Sequence, residues 1–156
     1  EHRRGRALAG PEPRVLGVEI RPFRAADEAA LIELWVACEL TRPWNDPGKD
    51  VERKLADSPE LLLVGEEDGR VIGSVMAGYD GHRGWINYLA VHPSRRGQGL
   101  GRALMAVAEA RLQALGCAKI NLQVRAGNQA ACAFYEAIGY ERQELVDFGK
   151  RLVSDE

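Results

Sequence analysis

The chain has 156 residues, and its 21 basic and 23 acidic side chains leave a formal charge of -2 at pH 7. That length suits one domain with one sizeable core. The near balance of charge argues against a general nucleic-acid binder, and no apolar run is long enough to span a bilayer.

Residues 1–17 are rich in Arg, Gly and Pro and show no period, so they read as an extension outside the fold, with the domain at 18–156. Residues 18–23 (VEIRPF) alternate as a first strand. Residues 26–39 carry Ala30, Leu31, Leu34, Trp35 and Cys38 on one helical face, with Asp27 suited to the helix start. Prolines and turn formers make 41–48 a loop. In it Trp44 is either a wall of an acceptor pocket or a plug at the core edge beside a capping Asp46. A short helix at 49–57 precedes strands at 61–66 and 71–79, joined by a turn centred on Asp68-Gly69. The next loop holds Asp80 and His82, two groups able to accept a proton, or else a local turn with a solvated histidine.

Residues 85–91 form an apolar run that reads as a buried strand, followed by Arg95-Arg96-Gly97-Gln98-Gly99-Leu100-Gly101-Arg102. Leu100, Leu104, Val107, Ala108, Leu112 and Leu115 then recur at helical spacing, and Gly116 ends the run. A helix start offers free N–H groups and partial positive charge. Glycines let a bulky anion reach them, and arginines add full charge, so a phosphate or diphosphate is the natural guest. A dinucleotide fingerprint fails in both registers, because Arg102 and Leu104 stand where its last glycine belongs. A P-loop fails because Arg102 follows Gly101. Beyond this unit come a strand at 119–125, a helix opened by Asn128 and running to about Ile138, and a last strand within 144–153.

Arg96, Gly99 and Gly101 meet the pattern R-x-x-G-x-G after Val91-His92-Pro93, and here the sequence resembles the GNAT family of acyl-CoA-dependent N-acyltransferases. A second stretch, Asn128 through Phe134-Tyr135 to Gly139-Tyr140, is similar to that family's other signature. The loops R-P-W-N-D-P and Y-D-G-H-R-G resemble those of the YpeA-type acetyltransferase subgroup. The resemblance implies a mixed α/β fold with a mostly antiparallel sheet of about six to seven strands and helices on both faces. It implies transfer of an acetyl group from acetyl-CoA to a primary amine of a small molecule or peptide. A non-catalytic acyl-CoA sensor is the alternative.

The roles follow from the same likeness. Arg96, Gly97, Gln98, Gly99, Leu100, Gly101 and Arg102 would cradle the diphosphate, and backbone amides near Leu89, Ala90 and Val91 would meet the thioester carbonyl. Asn128 would bond the pantetheine arm and Tyr135 would protonate the leaving thiolate. Asp80 and His82 are the candidate bases, with Asp46 and Glu39 behind them. No metal is expected. Cys38, Cys117 and Cys132 lie in apolar-patterned segments without metal-ligand spacing and read as buried thiols of the cytoplasm. The acceptor and the oligomeric state, with a homodimer among the options, stay open.

Overall fold

The computed structural model describes residues 12–156. Six strands form one sheet in chain order: β1 (Arg14–Val15), β2 (Val18–Pro22), β3 (Leu62–Glu67), β4 (Arg70–Tyr79), β5 (Gly84–Val91) and β6 (Ile120–Leu122). The first four contacts are antiparallel and β5 pairs β6 in parallel. Four helices complete the architecture: α1 (Glu28–Ala37), α2 (Pro47–Asp57), α3 (Leu100–Ala114) and α4 (Gln129–Ala137).

The strand patterns explain two cores. Leu61 and Leu63 join Val75, Leu100, Leu104, Met105 and Leu112 in a cluster beneath α3. Their neighbours Leu62 and Val64 turn to the other face and meet Leu31, Leu34 and Trp35 of α1 and Val51 of α2. Alternation along one strand therefore fixes helices to both faces of the sheet. A glycine at position 73 lets α3 press on β4, since a Cβ there would lie 3.0 Å from Leu104 Cδ1.

Three expectations are corrected. The extension does not run to residue 17, because Arg14 and Val15 pair with Glu19 and Val18 as β1; residues 1–11 lie outside the described residues. Asp27 stands at the start of α1 as expected, as its N-cap residue. Its carboxylate accepts from the Arg24 amide at 2.7 Å and from the buried Arg21 guanidinium at 2.7 and 2.9 Å, with Glu66 on the other side of Arg21. The last strand within 144–153 forms no ladder, and only 120–122 of the expected 119–125 strand pairs. Val146, Phe148 and Leu152 stand exposed there, Phe148 at 91%. Polar fastenings set the tail's path: Gln123 donates to Asp147 at 2.6 Å, and Asp155 seats against α2.

Candidate active site

The centre of the site is an irregularity in β5. Ser74 lies opposite Ala90 and Met76 opposite Asn87, so Tyr88 and Leu89 together face Val75. This is a bulge, and Tyr88 takes a left-handed backbone angle, φ +50°. The bulge is held from behind. Trp35 Nε1 donates to Ser74 Oγ at 2.9 Å, and Ser74 Oγ donates to the Tyr88 carbonyl at 2.8 Å. Trp35 and Ser74 are fully buried, and the Trp35 and Tyr88 rings stack at 3.8 Å.

The other edge of β5 is open where this happens. β6 pairs only with Gly84, Trp85 and Ile86 and then leaves. The His92 amide donates to Ile72 on β4, so the alternate residues Val91 and Leu89 turn their polar groups away from β4. Their amides face the gap where the two parallel strands separate. Ala90 between them is buried and paired with Ser74.

β5 ends in the glycine turn. Gly97 and Gly99 have φ of +76° and +85°, angles that L side chains adopt with strain, and a Cβ at either would meet nothing within 4 Å. Gly99 is the N-cap of α3 and, having no side chain, leaves the first amides of a 15-residue helix uncapped. The cradle is thus shaped for an outside anion. Arg96 is anchored by a 3.2 Å bond from Nε to the Val91 carbonyl, and Arg102 and Gln98 are exposed at the rim. Arg95 is spent on Glu67 and bonds Gln98 at 2.9 Å. The third glycine has a packing role, because a Cβ at Gly101 would lie 3.3 Å from Phe134 Cζ, which seats α4 on α3. Leu100 is buried in the core beneath.

On α4, Asn128 is the N-cap, its Oδ1 accepting from the Ala131 amide at 3.1 Å. Tyr135 packs edge-on to Phe134 and Tyr140, at centroid distances of 5.1 and 5.8 Å. Burial alone pushes its hydroxyl up to about 12, so it stays protonated through neutral pH. It lines a cavity of about 940 Å³ with Leu122, Val124 and Cys132.

A second cavity, about 670 Å³, lies on the α2 side of the bulge. Trp44 stands at its edge, 51% exposed, while Asp46 caps α2 by accepting from the Gly48 and Lys49 amides at 2.8 and 3.2 Å. The expected Asp46 cap is present, while Trp44 is too exposed to plug the core. Tyr88 Oη donates to Asp50 Oδ2 at 2.6 Å, and Asn45 Nδ2 donates to the same oxygen. Gln123 and Arg125 line both cavities, so the segment leaving β6 is the wall between them.

Asp80 and His82 fall elsewhere. Asp80 closes its own turn, accepting from the His82 and Arg83 amides at 2.7 and 2.6 Å, and these bonds hold its carboxyl below the usual range. The loop enters β5 at Gly84, roughly 20 Å of strand from Val91. Neither residue lines either cavity. Asp50, which meets Tyr88 and Asn45 at this cavity, was not among the candidates read from the sequence. Asp50 and Lys54 share a helix face with Asp57, at spacings of four and three, and that charged stripe on α2 was the one available signal.

A splayed mixed sheet whose fifth strand runs into an uncapped helix defines an α/β domain for a phosphate-bearing ligand and a second reactant. The chain belongs to the acetyltransferase (GNAT) family, which matches residues 29–140. It is 51% identical to an acetyltransferase of Pectobacterium atrosepticum over 138 residues, 88% of this chain and 98% of that protein. It is 52% identical to an acetyltransferase of Sodalis glossinidius over 140 residues, 89% and 99% of the two chains. Similar solved structures include AAC(6')-Iy in complex with a bisubstrate analogue, CoA-S-monomethyl-acetylneamine. The TM-score is 0.71, with 20% identity across 87% of this chain and 99% of that one. Ard1 from Thermoplasma volcanium gives a TM-score of 0.70 with 21% identity, covering 83% and 86%. At those identities the likeness is one of fold.

Proposed function

We propose that the protein transfers the acetyl group of acetyl-CoA to a primary amine by direct attack of the amine on the thioester. One observation carries this reading: the uncapped α3 and its glycine turn open at the end of the strand whose bulge frees the amides of Leu89 and Val91. The α3 amides, with Arg96 and Arg102, hold the diphosphate. The Leu89 and Val91 amides face the thioester carbonyl and steady the charge that grows on it. Asn128 keeps one side of its carboxamide free for the pantetheine arm. As the new C–N bond forms and the C–S bond breaks, Tyr135 gives its proton to the departing sulfur.

The amine must also lose a proton. Asp50 sits at the bulge, within 2.6 Å of Tyr88 Oη, and we assign it the receiving role in place of Asp80 and His82. Two finer points belong to the same reading. The loop residues 42–47 and 79–84 support placement in the YpeA-type subgroup. Three free thiols support a cytoplasmic site, and the exposed apolar side chains of the tail support pairing of two copies, which sedimentation checks.

The test is release of free thiol from acetyl-CoA with a panel of amines, beside thermal shifts with acetyl-CoA, NAD and ATP. The expected result is amine-dependent thiol release and a rise in melting temperature with acetyl-CoA alone. Stabilisation without thiol release would make the protein a sensor rather than an enzyme, and stabilisation by NAD or ATP instead would remove the reading altogether.

A further inference from the structure

The pocket beside the bulge has the wrong charge for a bare amine. Four cations line it, Arg42, Arg53, Lys54 and Arg125, against two carboxylates, Asp50 and Asp57. The chain as a whole carries a net charge of -2, so this excess is local. A primary amine arrives as a cation at neutral pH. A site evolved for a diamine or a polyamine would show carboxylates where this one shows arginines.

The groups are also ordered along the cavity. At the bulge end Asp50 is fixed, its Oδ2 bonded by Tyr88 and Asn45 and its Oδ1 by Arg53 at 3.1 Å. A carboxylate has about four acceptor positions, so Asp50 keeps room for one ammonium N–H. Away from the bulge lies Lys54, a buried residue whose ammonium donates to the Ala77 carbonyl and keeps two more donors. Arg53 is already committed to Asp155 as well as Asp50. Arg42 is braced by its own loop, Nη1 donating to the Glu39 and Thr41 carbonyls at 2.9 and 2.8 Å. Arg125 has no carboxylate partner among the described residues, and neither has Arg42. Asp57, the remaining anion, accepts from Ser58 Oγ at 2.8 Å.

We infer that the acceptor is an amine carrying a carboxylate, its ammonium held at Asp50 and its anionic group at Lys54, Arg42 and Arg125. This rests on the acetyl transfer proposed above and names the class of acceptor. Two sources share the chemistry: a free amino acid, and the N-terminus of a peptide with an acidic residue beside it.

The experiment compares matched pairs by steady-state kinetics and by calorimetry on the full chain with coenzyme A present. The free-acid arm sets glycine and β-alanine against their amides, with cadaverine as the diamine. The peptide arm sets peptides with Asp or Glu at the second position against the same peptides with Asn or Gln. The expected result is a KM and a Kd at least tenfold lower for the carboxylate member in one arm, which identifies the source. The advantage should shrink as salt rises. Arg42→Glu should reduce it while the KM for acetyl-CoA stays unchanged, and Arg42→Glu combined with Arg125→Glu should erase it. Equal or better use of amides and cadaverine would overturn the inference and leave acetyl transfer standing. Absence of thiol release with every amine would remove the transfer reading, and the calorimetric pairs would still decide the acceptor class: no preference for the acid overturns it.

Discussion

The two sides of the bulge are built from different materials. On the glycine side the groups proposed to meet a ligand are backbone: the amides of α3 beyond Gly99 and those of Leu89 and Val91. On the α2 side they are side chains, Asp50, Tyr88, Asn45, Lys54 and the arginines, brought from distant parts of the chain. Backbone donors serve any ligand with a diphosphate and say little about the rest of it. Side chains set charge and shape for one partner. The comparison teaches that the proposed cosubstrate seat depends on backbone geometry and the proposed acceptor seat on side-chain identity.

The comparison can be broken first at the glycine side. Gly99→Glu places a carboxylate among the free amides. Each charge-assisted bond lost there costs about 1.5–3 kcal/mol, so coenzyme A affinity should fall on the order of a hundredfold by calorimetry. Gly99→Ala, which adds strain of about 1 kcal/mol at φ +85° and no charge, should bind far better than the glutamate variant. Similar affinities for the two would put the diphosphate elsewhere.

The next largest effect is chemical. Tyr135→Phe should lower kcat by about a hundredfold, the low end for a positioned acid, with little change in coenzyme A affinity. An unchanged kcat would remove Tyr135 as the proton donor. The same hydroxyl gives a pH signature. Its pKa is raised in the fold to about 12, from 10.0 unfolded, so its neutral form is favoured and stability is full below pH 10. Stability should fall as pH rises from 10 through about 12, and Tyr135→Phe should flatten that fall in denaturant titrations.

The hinge between the two sides comes third. Ser74→Ala leaves Trp35 Nε1 buried without its acceptor and releases the Tyr88 carbonyl. We expect a stability loss of about 1–3 kcal/mol in urea. The kcat should fall about tenfold at constant KM for acetyl-CoA, because the Leu89 amide loses its aim. A purely structural role would lower stability and leave kcat untouched.

The smallest effect is at the tail. Asp155 bonds the Asp46 amide at 2.8 Å and pairs with Arg53, which draws its carboxyl down to about 2. A depressed carboxylate contributes stability above its unfolded pKa of 3.8 and loses it as pH falls through about 2. Asp155→Asn should lower the melting temperature slightly at pH 7 and not at pH 2, as scanning calorimetry would show.

What could be read in advance follows the same division. A glycine turn dictates its own backbone, so the strand, turn and helix around Gly97 and Gly99 were legible, as were the Asp68-Gly69 hairpin and the Asn128 cap. The split of Leu61 to Val64 between two cores was not legible, since the run is apolar throughout and only the folded strand divides it. Free amides near Leu89 to Val91 were expected only by resemblance, since no residue type announces the bulge and a tyrosine occupies its left-handed position. The Asp50–Tyr88–Asn45 cluster was illegible because Tyr88 lies 38 and 43 positions from Asp50 and Asn45, and only folding makes them neighbours. For Asp80 the local-turn alternative was legible, since an aspartate two residues before its bonding partner commonly closes its own turn. The failed last strand shows a pattern losing to tethers at Asp147 and Asp155.

Tyr88 invites one experiment in redesign. Its backbone occupies a region where glycine sits most comfortably, yet the position carries a ring wedged on Trp35 and a phenol that reaches α2. A glycine there would keep the kink and cut the rod joining it to the acceptor chamber. Such an enzyme should still grip its donor while losing its discrimination among amines, so one position becomes a handle for retuning what the catalyst accepts.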